Sequence, residues 1–141
     1  MRAIGITHYS ASHFDRMVGI VDSGRVSAIQ VPYNPREREV ERSLLPLAAR
    51  RGIGVVVMRP LGQGHLARTS PPARELHFLG AYGLTTWAQA LLNWGVSDSR
   101  VSVTIPATRV VQHMVDNCAV GAARRFDQAT RERVAALAAR L

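Results

Sequence analysis

The chain has 141 residues, a formal net charge of +8, and is 47% hydrophobic and 20% charged. That balance excludes a disordered chain and fits one globular domain of ordinary size. No apolar run approaches the roughly 18 residues that a membrane span needs, and Met1 to Gly5 lacks the regions of a signal peptide.

All 18 basic residues are arginine. A Schiff-base lysine, a P-loop lysine and a lysine proton relay are therefore excluded. The single cysteine, Cys118, excludes an intrachain disulfide framework and points to a reducing compartment, the cytoplasm. The arginines are scattered and aromatics are few, so nucleic acid is not an expected partner; a basic nucleic-acid-binding module is the reading from another class, and it predicts a steep salt dependence.

The first apolar run is Ala3-Ile4-Gly5-Ile6. Ala28-Ile29-Gln30-Val31, Val55-Val56-Val57-Met58 and Val101-Ser102-Val103-Thr104-Ile105 follow. Each is strand-length and bounded by turn residues, which predicts buried parallel strands. Helical patterns lie between them. Ser12 to Val21 carries Phe14, Met17, Val18 and Val21 on one face, with Ser12 as its expected cap and Ser23-Gly24 as its stop. Arg36 to Arg51 predicts a helix ending at Gly52, bent or split at Pro46. A stretched segment, Gly62 to Gly83, precedes a helix from Thr85 to Trp94, capped by Thr85 or Thr86, whose Trp87-Leu91-Trp94 stripe is expected in the core. Val110 to Ala119 predicts the next helix, with Cys118 expected as a small buried hydrophobe. The last runs from Asp127 or Gln128 towards Leu141, with Val134, Leu137 and Leu141 on one stripe. The order is β-α-β-α-β-loop-α-β-α-α, an α/β chain with no domain boundary.

In a parallel α/β protein, function collects at the C-terminal ends of the strands. Those ends read Thr7-His8-Tyr9, Pro32-Tyr33-Asn34, Arg59-Pro60-Leu61-Gly62-Gln63-Gly64 and Ala107-Thr108-Arg109. The same residues also fit ordinary strand-to-helix turns. Gly62 to Ala67 matches G-x-G-x-x-A, but Pro71-Pro72 and a loop follow where a helix should begin, and no acidic residue stands about 20 positions on. The Rossmann reading is therefore set aside. Thr108, Arg109 and the helix start behind them suit a phosphate, or else a simple cap. The five histidines show no metal-ligand spacing.

Taken together, the strand-end motifs resemble the C-terminal half of an aldo-keto reductase, a (β/α)8 barrel using NADPH or NADH. Arg2 to Tyr9 resembles the family's fifth strand, Gln30-Val31-Pro32-Tyr33-Asn34 its sixth, and Gly52 to Gly64 its seventh. Ala90-Leu91-Leu92-Asn93-Trp94 resembles a family helix, and Ile105-Pro106-Ala107-Thr108 with His113 and Asn117 resembles the eighth strand and its helix. The resemblance implies cofactor contacts. Thr7, His8 and Gln30 fall where the nicotinamide carboxamide is held, and Met58 where many members stack a Tyr. Arg59, Leu61, Gln63 and Gly64 fall on the loop over the pyrophosphate. Thr108 and Arg109 fall near the 2′-phosphate, His113 replaces a frequent Arg there, and Asn117 matches the residue that reads adenine.

The resemblance further implies a small carbonyl substrate and NADP, or NAD, as cofactor. The family's catalytic Asp, Tyr, Lys and His come from its first four strands, so no catalytic residue is expected in this chain and it is expected to be inactive alone. Met1 falls inside a strand motif, which favours a truncated reading frame lacking the N-terminal half. The alternative is a stand-alone half-barrel that pairs as a homodimer to restore eight strands and binds a nucleotide or phosphate without reductase activity.

Overall fold

The computed structural model describes residues 3–141. Four parallel strands form one sheet in sequence order: β1 (Gly5–Thr7), β2 (Ala28–Pro32), β3 (Gly54–Met58) and β4 (Val103–Thr104). Seven helices connect and cover them: α1 (Phe14–Asp22), α2 (Leu44–Arg51), α3 (His65–Arg68), α4 (Ala73–Leu76), α5 (Trp87–Val96), α6 (Val111–Ala119) and α7 (Gln128–Ala139). Residues 1 and 2, which begin the first motif, lie outside the described part.

The sheet has two unlike faces. Ile29, Val31, Val55 and Val57 are buried beneath the helices. The alternate positions turn the other way, and the register aligns them in layers. Gly5, Ala28 and Gly54 share one layer, and Thr7, Gln30, Val56 and Val103 share the next. This second face is uncovered: Gly5, Thr7 and Val103 are exposed, and Ala28, Gln30 and Val56 are half-buried. The expectation of strands buried on both sides holds for one face only.

The first helix presents Phe14, Met17 and Val21 to the core, a spacing of one helical face. Ser12 does not cap it. It lies in a 3-10 turn (Ala11–His13), and its hydroxyl meets the Ser10 hydroxyl and His13 Nδ1. The expected helix from Arg36 to Arg51 is two pieces, a 3-10 turn at Glu39–Glu41 and then α2. Pro46 sits in the first turn of α2, where a missing N–H costs nothing. Gly52 closes α2 at φ 65°, the left-handed position that favours glycine. The segment expected as a loop, Gly62 to Gly83, folds into α3, α4 and two 3-10 turns.

Helix α5 is the centre of the covered side. Thr86 caps it through a reciprocal box with Gln89. Trp87, Leu91 and Trp94 are buried, as the stripe predicted. Gly95 faces the sheet at the Thr104 methyl, which would stand 3.4 Å from a Cβ there, an ordinary contact. Asp127 caps α7 by accepting from Thr130 N. Val134 and Leu137 pack inward, but Leu141 is exposed and does not extend the stripe. Helix α6 contributes no buried residue, and Cys118 on it is exposed rather than core.

A buried polar cluster locks α7 and α5 to the end of β2. Arg131 is 7% exposed. Its Nε donates to the Trp94 carbonyl at 3.2 Å, and Nη2 donates to Tyr33 Oη at 2.7 Å. The same Nη2 stands 3.5 Å from Asp98 Oδ2. The Tyr33 hydroxyl faces Glu41 Oε1 at 2.6 Å and Asp98 Oδ2 at 3.0 Å. Burial, then the bond to Glu41, pushes the Tyr33 phenol up. Burial alone would raise Asp98 as well. The bonds from the Arg100 side chain and backbone, with the charges of Arg100 and Arg131, outweigh it and bring the carboxyl down to about 2.

A carboxyl depressed in the folded state stabilises the fold above its unfolded value and loses that effect as pH falls through the folded value. Asp98→Asn is expected to cost about 3 kcal/mol at neutral pH, because it leaves Arg131 short of a buried counter-charge. The gap to wild type should narrow by about 2 kcal/mol between about pH 4 and about pH 2. Urea unfolding at several pH values checks both; a gap that stays constant would remove Asp98 from the balance.

Candidate cofactor site

The C-terminal ends of all four strands open on one side of the sheet, so the four loops meet there. The loop after β3 is the most constrained. Arg59 and Gln63 adopt φ of 53° and 56°, the non-glycine residues at positive φ among those described. Such positions cost of order 1 kcal/mol or more and persist only where neighbours hold them. Asn34 supplies one hold. It is buried, and its Nδ2 donates to the Arg59 carbonyl at 3.0 Å and to Glu37 Oε2 at 2.6 Å. The amide of Gln63, with its oxygen toward Arg59, accepts from Arg59 Nε and Nη2 at 3.2 Å. Farther on, Trp87 Nε1 donates to the Leu66 carbonyl at 2.9 Å and ties the loop to α5. Gly62, at φ 55°, has the Leu66 side chain 3.0 Å from where a Cβ would stand. The one-turn α3 does begin directly after Gly64, which the sequence reading had not expected.

Between this loop and the start of α6 lies a cavity of about 730 Å³. Leu61, Gly64, Thr108, Arg109, His113 and Asn117 line it together. A second cavity of about 360 Å³ lies beside it, lined by Arg59, Gln63 and three residues of the first, Leu61, Gly64 and Ala107. Eight of the twelve site residues thus meet around two adjoining spaces. Thr7 and Gln30 form a separate group. They are register partners on the open sheet face, around a hollow of about 230 Å³ floored by Gly5, Ala28 and Val56. The Gln30 amide has no hydrogen-bond partner among the described residues. Met58, half-buried, follows Val56 on the same face but lines none of these spaces.

His8 is placed differently. Its ring stacks on His13 at 4.0 Å and on Tyr9 at 5.1 Å, and its Nδ1 accepts from Ser10 N at 3.0 Å. It is thus engaged in its own loop and does not join Thr7 and Gln30. Thr108 Oγ1 accepts from Val110 N at 3.1 Å and shapes the entry to α6, whose cap residue is Val110. Two contributors escaped the sequence reading. Asn34, part of a strand-end motif, supports the Arg59 carbonyl, and Arg68, on α3, lines the larger cavity. No group of three or more metal-ligating side chains occurs among the described residues.

This is a parallel α/β half-barrel whose strand-end loops enclose nucleotide-sized spaces. The model of the aldo/keto reductase family matches residues 1–139, and the chain belongs to that family. It is 30% identical over 148 residues to the NADH-specific methylglyoxal reductase of Escherichia coli (strain K12), covering 97% of this chain and 44% of that protein. Its fold matches an aldo-keto reductase from Klebsiella pneumoniae in complex with NADPH, with a TM-score of 0.70 and 23% identity over 96% of this chain and 48% of that one. It also matches the holo form of an aldo-keto reductase from Bacillus halodurans, with a TM-score of 0.69 and 18% identity over 87% and 45%. The chain therefore spans about half the length of these relatives. Its four strands and flanking helices are the C-terminal half of their (β/α)8 barrel, as the motifs implied.

Asn34→Ala is expected to destabilise the protein by about 1–3 kcal/mol, because the Arg59 carbonyl and the Arg36 and Glu37 amides lose a buried partner. Amide exchange should accelerate in residues 59–64 more than in the strands. Equal acceleration throughout would mean that Asn34 does not hold this loop in particular.

Proposed function

We propose that these 141 residues form the cofactor-holding half of an NAD(P)-dependent aldo-keto reductase that reduces a small carbonyl compound to an alcohol. The observation that carries this reading is the convergence of Arg59, Leu61, Gln63, Gly64, Thr108, Arg109, His113 and Asn117 on two adjoining cavities at the strand ends. The chemistry of the lining fits a dinucleotide. Arg59 and Arg109 form no ion pair among the described residues, so both can meet a diphosphate or phosphate. The free Gln30 amide and the Thr7 hydroxyl, on a sheet face otherwise of Gly, Ala and Val, suit a planar carboxamide, which both donates and accepts.

In this reading the bound nicotinamide supplies hydride to the carbonyl carbon. The chain's own residues bind and orient. Thr7 and Gln30 fix the carboxamide, Met58 packs nearby without a π face, and the Arg59–Gly64 loop shields the diphosphate. Proton donation to the carbonyl oxygen, which the family assigns to a Tyr supported by Lys and Asp, needs groups these residues do not provide; no lysine is present at all. The 141 residues alone are therefore expected to bind cofactor without turning over carbonyls. No helix among the described residues is long and apolar enough to cross a membrane, and this reading places the protein in the cytoplasm.

The uncovered sheet face favours one addition. A parallel sheet is stable when both faces are covered, and this one exposes Gly5, Thr7 and Val103 on its open side, with Ile105 exposed just past β4. Two copies pairing β4 with β1 would supply eight strands and cover that face. Light scattering should then give about twice the 15.4 kDa chain mass; a monomer would remove the homodimer and leave the cofactor reading intact.

Isothermal titration with NADPH and with NADH tests the main proposal. Saturable binding with no carbonyl-dependent oxidation of NADPH is the expected result. At 100 times Kd the cofactor should add about 2.7 kcal/mol of stability. Absence of binding to either nucleotide would overturn the reading.

A further inference from the structure

The edge of the molecule beside β4 presents an apolar helix face with no cover. None of the nine residues of α6 is buried. Val111, Met114, Val115 and Cys118 follow the i, i+3, i+4, i+7 spacing of one helical face. Val111 is 80% exposed and Val115 57%, and Met114 and Cys118 are exposed as well. Short helices draw their stability from packing such a face against something else. Gln89 of α5 ties α6 to the body, its Nε2 donating to the Asp116 carbonyl at 3.0 Å. Met114 and Cys118 line a groove of about 490 Å³ together with Val103 and Ile105 at β4 and with Leu92 and Val96 of α5. The strand β4 ends the sheet, so its outer backbone edge is unpaired by the chain itself.

The opposite edge is open in a complementary way. There β1 ends the sheet, and Ile4 just before it is exposed. Helix α1 follows β1 and packs against α2, with Asp22 paired to Arg51 on that side. Farther round α1, away from this pair, come Arg16, Gly19 and Ile20, the first two exposed and the third half-buried. A Cβ added at Gly19 would meet nothing within 4 Å. Glycine inside a helix is less stable than alanine, and no atom of the chain uses the space that this one leaves.

The exposed area gives the size of what is missing. The chain exposes 8074 Å², whereas a folded monomer of 15.4 kDa is expected to expose about 7,200 Å². The surplus of about 900 Å² is close to the roughly 800 Å² that each partner buries in an interface of standard size. A lipid surface does not suit this face, because α6 has no arginine or lysine and carries Asp116.

We propose that the Val111-Met114-Val115-Cys118 face of α6 docks on the Arg16-Gly19-Ile20 flank of α1 in a second copy of this chain. The inference rests on the pairing of β4 with β1 between two copies, and names the helices that hold that pairing. A two-fold axis makes the contact twice, α6 of each copy meeting α1 of the other. Gly19 gives the arriving helix a place of close approach.

The test uses the 141-residue chain and reads its mass by sedimentation over a dilution series. Wild type should be a dimer at the upper end. Val115→Asp and Gly19→Glu place a charge on each side of the contact, at positions whose side chains are outside the core, and circular dichroism checks that both fold. Each should weaken the dimer at least tenfold, whereas Ala49→Asp, on the exposed part of α2, should leave it unchanged. An equimolar mixture of Val115→Asp and Gly19→Glu should regain part of the dimer, because one of the two contacts in the mixed pair carries neither substitution. A general loss of stability would not be rescued in this way. Labelling of Cys118 by a thiol reagent should slow as wild type associates.

A dimer that survives both substitutions would overturn the α6–α1 contact and leave the homodimer standing. Weakening by Val115→Asp alone, with Gly19→Glu unaffected, would overturn α1 as the occupant. A monomeric wild type would overturn this inference and the homodimer together; if vesicles of anionic lipid then slowed the labelling of Cys118, a membrane would be the occupant instead. Nucleotide titration is read separately, so none of these outcomes decides the cofactor reading.

Discussion

The seating of the helical layer depends on one buried charge. Arg131 lies in the interior with its guanidinium 4.6 Å over the Trp94 ring, and a buried cation is tolerated only when its donors and its charge are answered. The answers come from distant parts of the chain. Tyr33 follows β2, Asp98 follows α5, and the Trp94 carbonyl belongs to α5 itself. The Trp94 indole completes a reciprocal pair by donating to the Arg131 carbonyl at 3.1 Å. An apolar core tolerates small slippage between helices, because dispersion is non-directional. This cluster does not, because each bond has a direction and an unmet partner is expensive. It therefore fixes the angle at which α5 and α7 sit on the sheet. Arg38 extends the arrangement outward, forked on Glu41 at 3.1 and 3.0 Å.

What the cluster fixes on one side of the sheet, it transmits to the other by alternation. With Ile29, Val31, Val55 and Val57 committed to the helices, Gln30, Val56 and Met58 have no choice but to face away. A slip of one residue would bury Gln30 beneath the helical layer and expose the valines. The polar groups suited to a carboxamide are thus held by the same apolar packing that forms the core. In the proposed reading, cofactor binding and stability use alternate residues of the same strands.

The strands, the central helix and the family were legible in the sequence, because β-branched runs, the Trp87-Leu91-Trp94 stripe and the strand-end motifs are local signals. The failures share a cause. Ser12 and Thr86 look equally good as caps, but only Thr86 has a Gln three positions on to complete the box. Cys118 and Leu141 have apolar side chains on faces that the described residues do not cover, and a residue's neighbours across space are not written beside it. Arg131 stands in a charged stretch, Arg131-Glu132-Arg133, where a solvated arginine is the default reading; its partner Tyr33 is 98 positions away. Arg68 escaped for a related reason. The Pro- and Gly-rich segment around it reads as loop, and only the folded α3 brings it to the wall of the larger cavity. The candidate site residues were named through resemblance rather than through physics: spacing alone left the strand ends open to being ordinary turns.

The left-handed loop after β3 shows why the candidate site belongs to the fold rather than being an addition to it. Arg59 and Gln63 hold conformations that an isolated chain would abandon. Their stability is borrowed from Asn34, at the end of the β2 segment, and from Trp87, at the start of α5. Asn34 is the residue after Tyr33, whose hydroxyl is bound by Arg131. Trp87 begins the helix whose other end carries Trp94. Both supports of the loop are thus covalently continuous with the buried cluster, one residue away on one side and two helical turns away on the other. The cavities between this loop and α6 inherit their shape from that connection. A ligand entering them meets walls already in position, and the ordering cost is met when the chain folds rather than when the ligand binds.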